Sequence, residues 1–243
     1  MEENSAEVAP EFSFQRFEPV AAVAHTVSLL LILAAVAAVG YASIHRQASV
    51  PRQNRMVFYL ITMAWEWILF LFIYWGLRRR GKSFRDIAGV RWKNARDFFR
   101  DLGIAFGFWI AAIAILSLIA SVLRAKGMAE AARMLAPRGF LESILWVALA
   151  ITAGICEETI FRGYLQRQFV AWTRNAPVGV LLSAALFGAG HIYQGGKATI
   201  VIAVYGLMFG ILAEVRQNLR PGMMVHAWHD AITGLLIRFA PVK

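Results

Sequence analysis

Charged residues are scarce in this sequence. Only 16% of its 243 residues are Asp, Glu, Lys or Arg, and 59% are hydrophobic, whereas about a quarter of a soluble domain is charged. The single cysteine, Cys156, excludes an intramolecular disulfide framework. The polar N-terminal tail, residues 1–19, lacks the basic start of a signal peptide, so we expect the first apolar segment to be retained. The scarcity of charge and the excess of hydrophobic residues indicate a membrane protein.

Apolar blocks make up most of the sequence, and several approach the roughly 20 residues that cross a bilayer as a helix. We therefore predict an all-α, polytopic transmembrane helix bundle with about seven spans (six to eight). The tail 1–19 would precede N-terminal transmembrane helices at 20–141 and a C-terminal transmembrane core at 142–243. The seven blocks are 20–44, 56–77, 102–123, 143–171, 178–193, 198–215 and 223–240, of which the fifth and sixth are short.

Positive charge is concentrated between the second and third blocks. Residues 78–101 contain nine Lys or Arg and three Asp, within a net charge of +10 for the chain. Beside a membrane span, such a basic loop is typical of the cytoplasmic side and of contact with anionic lipid. We therefore expect membrane lipid as a partner, no nucleic acid, and a cytoplasmic N-terminus.

Two adjacent carboxylates and an arginine interrupt the fourth block, in the segment GICEETIFRGY. An ionisable group at this depth is costly unless it is paired or hydrated, which makes each one a functional candidate. Glu158 and Arg162 are four residues apart and share a helix face, which predicts an ion pair. Glu157 points about 100° away and has no such partner. Because neighbouring carboxylates disfavour simultaneous ionisation, Glu157 is left as the candidate general base.

Later blocks supply histidines that can act with this base. His191 ends the fifth block, and His226 precedes Asp230 by four residues, on one face of the seventh. Glu157 lies about 18 residues before the turn near residue 175, and His191 about 16 after it, so an antiparallel helix pair would bring them level. Supporting positions are expected for two further ionisable residues of the apolar blocks, Glu66 and His229.

Three motifs in the second half of the chain resemble those of a known family. They are Glu157-Glu158-x-x-x-Arg162, Phe187-x-x-x-His191 and His226-x-x-x-Asp230. Their order and spacing are similar to those of the CAAX protease and bacteriocin-processing family, which includes the Abi proteins and consists of intramembrane endopeptidases. The resemblance covers about residues 142–240. Asp230 stands where the family often has asparagine.

The resemblance implies a role for each of these residues. Glu157 and His191 would activate a water molecule that attacks a peptide carbonyl, and His226 with Asp230 would stabilise the oxyanion. The substrate would be a peptide or protein, with prenylated CAAX-type peptides as one candidate class. Supporting roles would fall to three neighbours, Glu158, Arg162 and Phe187.

Alternatives stay open for the mechanism and for the function. The sequence lacks the HExxH zinc motif, which favours a reaction without a cofactor. Glu157, His191 and His226 would otherwise hold zinc, with water as fourth ligand. A catalytically silent scaffold or immunity protein, or a proton-coupled transporter, would also explain buried Glu and His residues. We expect an integral protein of a bacterial or archaeal plasma membrane.

Overall fold

The computed structural model describes residues 17–46, 54–89, 91–125, 133, 135–237 and 239, and contains no strand within them. Residues 1–16 of the predicted tail lie outside this described part. The first helices are α1 (Val23–Arg46), α2 (Arg55–Arg78), α3 (Phe84–Ala88) and α4 (Ala95–Val122). A π-helical segment (Glu158–Gln166) joins α5 (Phe140–Glu157) to α6 (Arg167–Thr173). The chain continues through α7 (Ala176–Gly190), a 3₁₀ turn (Ile192–Gln194), α8 (Gly196–Arg216) and α9 (Arg220–Ile237).

Five helical stretches of the described chain are long and apolar enough to cross a membrane: Val23–Ala42, Arg55–Arg78, Ala95–Val122, Phe140–Thr173 and Gly196–Arg216. This confirms the predicted polytopic helical bundle. The expected count of about seven spans is met only in part. The fifth expected span, α7, is a shorter apolar helix. The seventh expected span, α9, is not among these five stretches, because two histidines, an aspartate and an arginine within its 18 residues lower its mean hydropathy.

Part of the expected basic loop is helical. α4 begins at Ala95, seven residues earlier than the apolar pattern predicted, because the Asn94 side chain accepts the backbone N–H of Asp97 and caps the helix. The short helix α3 lies within the same loop, and both the backbone N–H and the hydroxyl of Ser83 donate to Asp86. These bonds hold the pKa of the Asp86 carboxyl below its usual value.

Two hydrophobic clusters form apolar cores within the described helices. The larger includes Leu69 and Ile73 of α2, Tyr164 of the π-helical segment and Phe187 of α7. The smaller is formed by five residues of α4, α8 and α9: Ala105, Ala112, Tyr205, Phe209 and Val225. The π-helical segment, α7 and α9, which carry or adjoin the polar residues singled out in the sequence, therefore also contribute side chains to these apolar cores.

Close packing of α5 on α9 depends on a glycine. A Cβ atom at Gly154 would lie 2.7 Å from the carbonyl oxygen of Met223 and 2.9 Å from the backbone nitrogen of Ala227. Both neighbours are backbone atoms of α9, so they cannot move aside as a side chain would. Gly154 thus sets the distance between the helix that carries Glu157 and the helix that carries His226.

We expect Gly154→Val to destabilise the protein by about 1–3 kcal/mol, the usual cost of overpacking, because it forces α5 and α9 apart. Thermal unfolding in detergent measures this change. Gly107→Val is the matched control, because a Cβ at Gly107 would meet nothing within 4 Å. Equal melting temperatures for the Gly154 variant and the wild type would contradict the close approach.

The turn between α8 and α9 is held inside the protein. Its residue Leu219 is buried, and the Leu219 backbone N–H donates to the carbonyl of Ala88 (3.1 Å). The carboxylate of Asp101, which is fully buried, accepts from Asn218 (2.9 Å) and from the indole N–H of Trp92 (2.8 Å). The connection after α3 therefore covers the turn, which explains how His226, only seven residues beyond Leu219, reaches the interior.

We expect Asp101→Asn to lower the free energy of unfolding by about 2 kcal/mol, because hydrogen bonds to a charged group contribute about 1.5–3 kcal/mol. Asp101 also accepts from Arg216 (3.3 Å). The matched control is Asp97→Asn, which makes the same change one turn earlier, at a half-buried position. Urea unfolding of both variants in detergent should therefore separate them. Equal stabilities would contradict a structural role for Asp101.

Candidate active site

A change of helix type positions the two adjacent carboxylates. α5 ends at Glu157, and the π-helical segment begins at Glu158. π-Helical turns inside α-helices are rare and frequent at functional sites. The side chain of Glu157 is 19% exposed, whereas that of Glu158 is 1% exposed. The two neighbours therefore face different surroundings, with Glu157 toward the accessible side.

Arg162 is enclosed by polar and aromatic partners. Its Nη1 atom lies 3.0 Å from Glu158 Oε1, as the spacing predicted, and its Nη2 donates to the carbonyl of Gly206 (3.1 Å). The guanidinium carbon lies 4.3 Å from the ring centroid of Phe187 and 5.1 Å from that of Phe209. This cation is thus neutralised by one carboxylate and held between two aromatic faces.

His226 joins the carboxylates of the site. Its Nδ1 atom donates to Glu158 Oε1 at 3.0 Å. Its Nε2 atom lies 3.5 Å from Asp230 Oδ2 and 3.7 Å from Glu157 Oε2. The bond to Glu158 was not predicted from the sequence, which assigned Glu158 to Arg162 alone. Glu158 therefore has two partners, Arg162 and His226. The other ring nitrogen of His226, Nε2, is close to two further carboxylates.

α7 brings His191 to the same level by antiparallel packing. Ser183 Oγ donates to the carbonyl of Phe161 (2.7 Å), and the rings of Phe161 and Phe187 lie 5.0 Å apart. Phe161 follows Glu157 by one turn, and Phe187 precedes His191 by one turn. The pairing therefore places Glu157 and His191 level across the two helices, as expected from the hairpin.

Phe187 separates the two histidines. Its ring centroid lies 4.9 Å from that of His191 and 6.1 Å from that of His226. The Nδ1 atom of His191 donates to the carbonyl of Phe187 (2.8 Å). This bond fixes the tautomer of a neutral His191 and leaves Nε2 as the nitrogen available to a ligand. A Cβ at the neighbouring Gly190 would meet nothing within 4 Å, so there is open space beside this histidine.

Two further polar groups lie beside these residues, one buried and one half-buried. Tyr205, which the sequence did not single out, has a buried hydroxyl without a hydrogen-bond partner among the described residues. Its ring lies 6.4 Å from that of His226 and 5.2 Å from that of His229. His229 Nδ1 accepts from the indole N–H of Trp109 (3.2 Å). A tyrosine within the apolar pattern of α8 was the only sequence signal for this neighbour.

The positions of the ligand atoms test whether Glu157, His191 and His226 could hold a zinc ion. Among the described residues, no group of three His, Cys, Asp or Glu side chains is placed to hold a metal ion. The two ring nitrogens of His226 face carboxylates, and His191 Nδ1 faces a carbonyl. The trio Glu157, His191 and His226 therefore does not fit a three-ligand site in this conformation.

Comparison with known proteins relates the C-terminal part of the chain to a protein family. Residues 139–232 match a family model described as Rce1-like, type II CAAX prenyl endopeptidase. This match confirms the resemblance to the CAAX protease and bacteriocin-processing family and includes all three motifs. No curated protein and no solved structure shows significant similarity to the chain.

Proposed function

We propose that the chain, whose residues 139–232 belong to the CAAX protease and bacteriocin-processing family, hydrolyses a peptide bond inside the membrane with a water activated by Glu157 and His191. The family supports a CAAX-type intramembrane endopeptidase in general. The choice of residues and the mechanism are our proposal, and so is a location in a bacterial or archaeal plasma membrane.

One observation carries the proposal. A single buried imidazole, that of His226, lies within 3.7 Å of Glu157, Glu158 and Asp230, while antiparallel packing brings His191 level with Glu157. Polar residues with unrelated structural roles would not be expected to meet at one place from α5, the end of α7 and α9. Convergence of a base and a donor on an apolar background is what hydrolysis requires.

Glu157 is suited to take the proton from water. It is partly exposed, and its buried Oε2 atom has no hydrogen-bond partner among the described residues. A water molecule that donates to this oxygen would transfer its proton as the water oxygen bonds to the carbonyl carbon. When the C–N bond breaks, the same proton passes from Glu157 to the leaving amine. His191 Nε2 would orient the water from the opposite helix.

His226 is suited to stabilise the oxyanion. Because Nδ1 donates to Glu158, a proton on Nε2 makes the ring an imidazolium, which the carboxylates of Asp230 and Glu157 favour. The Nε2–H group would then donate to the negative oxygen that develops on the carbonyl. Asp230 orients this ring in our proposal, which gives the aspartate a role as acceptor.

The supporting residues hold this arrangement from behind. Glu158 links Arg162 to His226, so the ion pair also fixes the orientation of the imidazole. Phe187 packs between the histidines and covers the guanidinium. Preorganised partners of this kind keep the reacting groups in place without reorganisation during the reaction.

A panel of membrane-tethered peptides tests the proposed function. Each peptide is offered with and without a prenyl group to purified protein in liposomes, and products are identified by mass spectrometry. We expect cleavage of at least one peptide, with activity retained in a chelator. Activity that a chelator abolishes and zinc restores would overturn the metal-independent mechanism. No cleavage of any peptide by folded protein would contradict the enzyme assignment and favour a catalytically silent scaffold.

A further inference from the structure

Glu66 is a buried carboxylate that the mechanism above does not use. It lies in the apolar helix α2, and the residue is only 8% exposed. Its Oε2 atom is buried and has no hydrogen-bond partner among the described residues. Burying a polar group without such a partner is costly, so a group of this kind calls for a bound partner or a function.

The packing of α2 on α5 directs Glu66 toward the site. The two helices run parallel: Arg55 Nε donates to Glu142 (3.2 Å), and the rings of Tyr59 and Trp146 lie 5.5 Å apart. Both pairs join residues 87 positions apart in the chain. The same offset places Glu66 level with Ala153, one turn before Glu157.

The charges around Glu66 belong to the candidate active site. Glu157 and the buried thiol of Cys156 interact with it electrostatically from α5, and Tyr193 does so from the 3₁₀ turn. His226 and Asp230 interact with it electrostatically from α9. Glu66 therefore adds α2 to the elements that contribute to the site.

Two acceptors in this region lack donors. Glu157 and Glu66 each have a buried Oε2 oxygen without a hydrogen-bond partner in the described part of the chain. A water molecule has two O–H groups, and buried waters commonly satisfy polar groups that have no protein partner. One water between the two carboxylates would satisfy both oxygens.

We propose that Glu66 is a further catalytic residue, which binds the attacking water together with Glu157. Each carboxyl group accepts one O–H of this water, so that an oxygen lone pair points at the peptide carbonyl. Glu157 takes the first proton, and the second hydrogen stays on the attacking oxygen until the product carboxylate releases it to solvent. The inference rests on the proposed function and adds a third group to water activation by Glu157 and His191.

Two substitutions test this role in the full-length protein in liposomes, with a peptide that the wild type cleaves as the substrate. We expect Glu66→Leu to lower kcat about 100-fold with little change in KM, because the water loses one of its two anchors. Its melting temperature should equal or exceed that of the wild type, since an apolar side chain replaces an unpaired polar group. Glu66→Gln keeps an oxygen acceptor, so we expect a smaller loss of kcat, about tenfold.

A pH profile separates a catalytic from a structural role. Removing Glu66 should alter the pH profile of kcat, while the other ionisable groups that interact with it electrostatically are retained: Glu157, Cys156, Tyr193, His226 and Asp230. Leu69→Ala is the matched control, because it removes a buried side chain of α2 that is 6% exposed. It should lower the melting temperature and leave the kcat and pH profile of the folded protein unchanged.

Unchanged kcat and pH profile in Glu66→Leu would overturn the inference. If that variant fails to fold, Glu66→Gln decides, and wild-type kinetics there overturn the inference equally. The role of Glu66 alone would be refuted if the wild type is active, Glu157→Gln is inactive and the Glu66 variants are fully active. Equal turnover by wild type and Glu157→Gln would refute the proposed function itself.

Discussion

Glu157→Gln is expected to lower kcat by at least about 100-fold, because a general base contributes roughly 10²–10⁴-fold and the amide cannot accept the proton from water. The shape of the side chain is nearly unchanged, and its Oε2 makes no hydrogen bond in the described structure. The variant should therefore express and unfold like the wild type. Cleavage of a membrane-tethered peptide, followed over time by mass spectrometry, measures the loss.

Glu142→Gln is the matched control for this variant. It makes the same chemical change at the other end of α5, where Glu142 pairs with Arg55 at a half-buried position. Such pairs contribute about 0–1 kcal/mol, so activity and stability should stay close to those of the wild type. Wild-type turnover by Glu157→Gln would end the proposed mechanism.

Glu158→Gln is expected to cost about 3–5 kcal/mol of stability, because it leaves Arg162 as an uncompensated buried charge. The side chains of both residues are 1% exposed, and Glu158 also accepts from His226. The loss should appear as a lower melting temperature in detergent. Activity should fall as well, since the imidazole loses the acceptor that orients it.

A double variant distinguishes the two effects of Glu158. Arg162→Met combined with Glu158→Gln removes both charges, so part of the stability should return. Activity should stay low, because His226 still lacks its carboxylate partner. A Glu158→Gln protein that is fully stable but inactive would mean that the roles of the two adjacent carboxylates are the reverse of those proposed.

Contacts within one helix could be predicted from the sequence, because residues four apart share a helix face. The Glu158–Arg162 ion pair and the approach of His226 to Asp230 both follow from this spacing. The level of His191 could also be predicted, since a short turn limits how two antiparallel helices can pair. The catalytic roles of these residues stay predictions.

Contacts between helices distant in the chain could not be predicted in this way. The bond from His226 to Glu158 depends on Gly154, which lets α5 and α9 approach, and on the buried turn before α9. The position of Tyr205 near both His226 and His229 likewise follows from how α8 packs. No local spacing encodes these contacts.

Two pairs of glycines show why identical patterns differ in outcome. Both have the GxxxG spacing that allows close helix approach. A Cβ at Gly206 or Gly210 would lie within 3.0 Å of a neighbouring side chain, whereas Gly103 and Gly107 have nothing within 4 Å. The pattern permits contact, but the arrangement of the whole bundle decides which face meets another helix.

Hydrolysis in ¹⁸O-labelled water tests the central claim most directly. If the protein activates water for attack on a peptide carbonyl, the new carboxyl terminus of the product should carry one ¹⁸O atom after a single cleavage. The label should appear with the wild type and be lost, together with the product, in Glu157→Gln. A covalent acyl-enzyme intermediate detected by mass spectrometry, or equal labelled product from Glu157→Gln, would contradict the account.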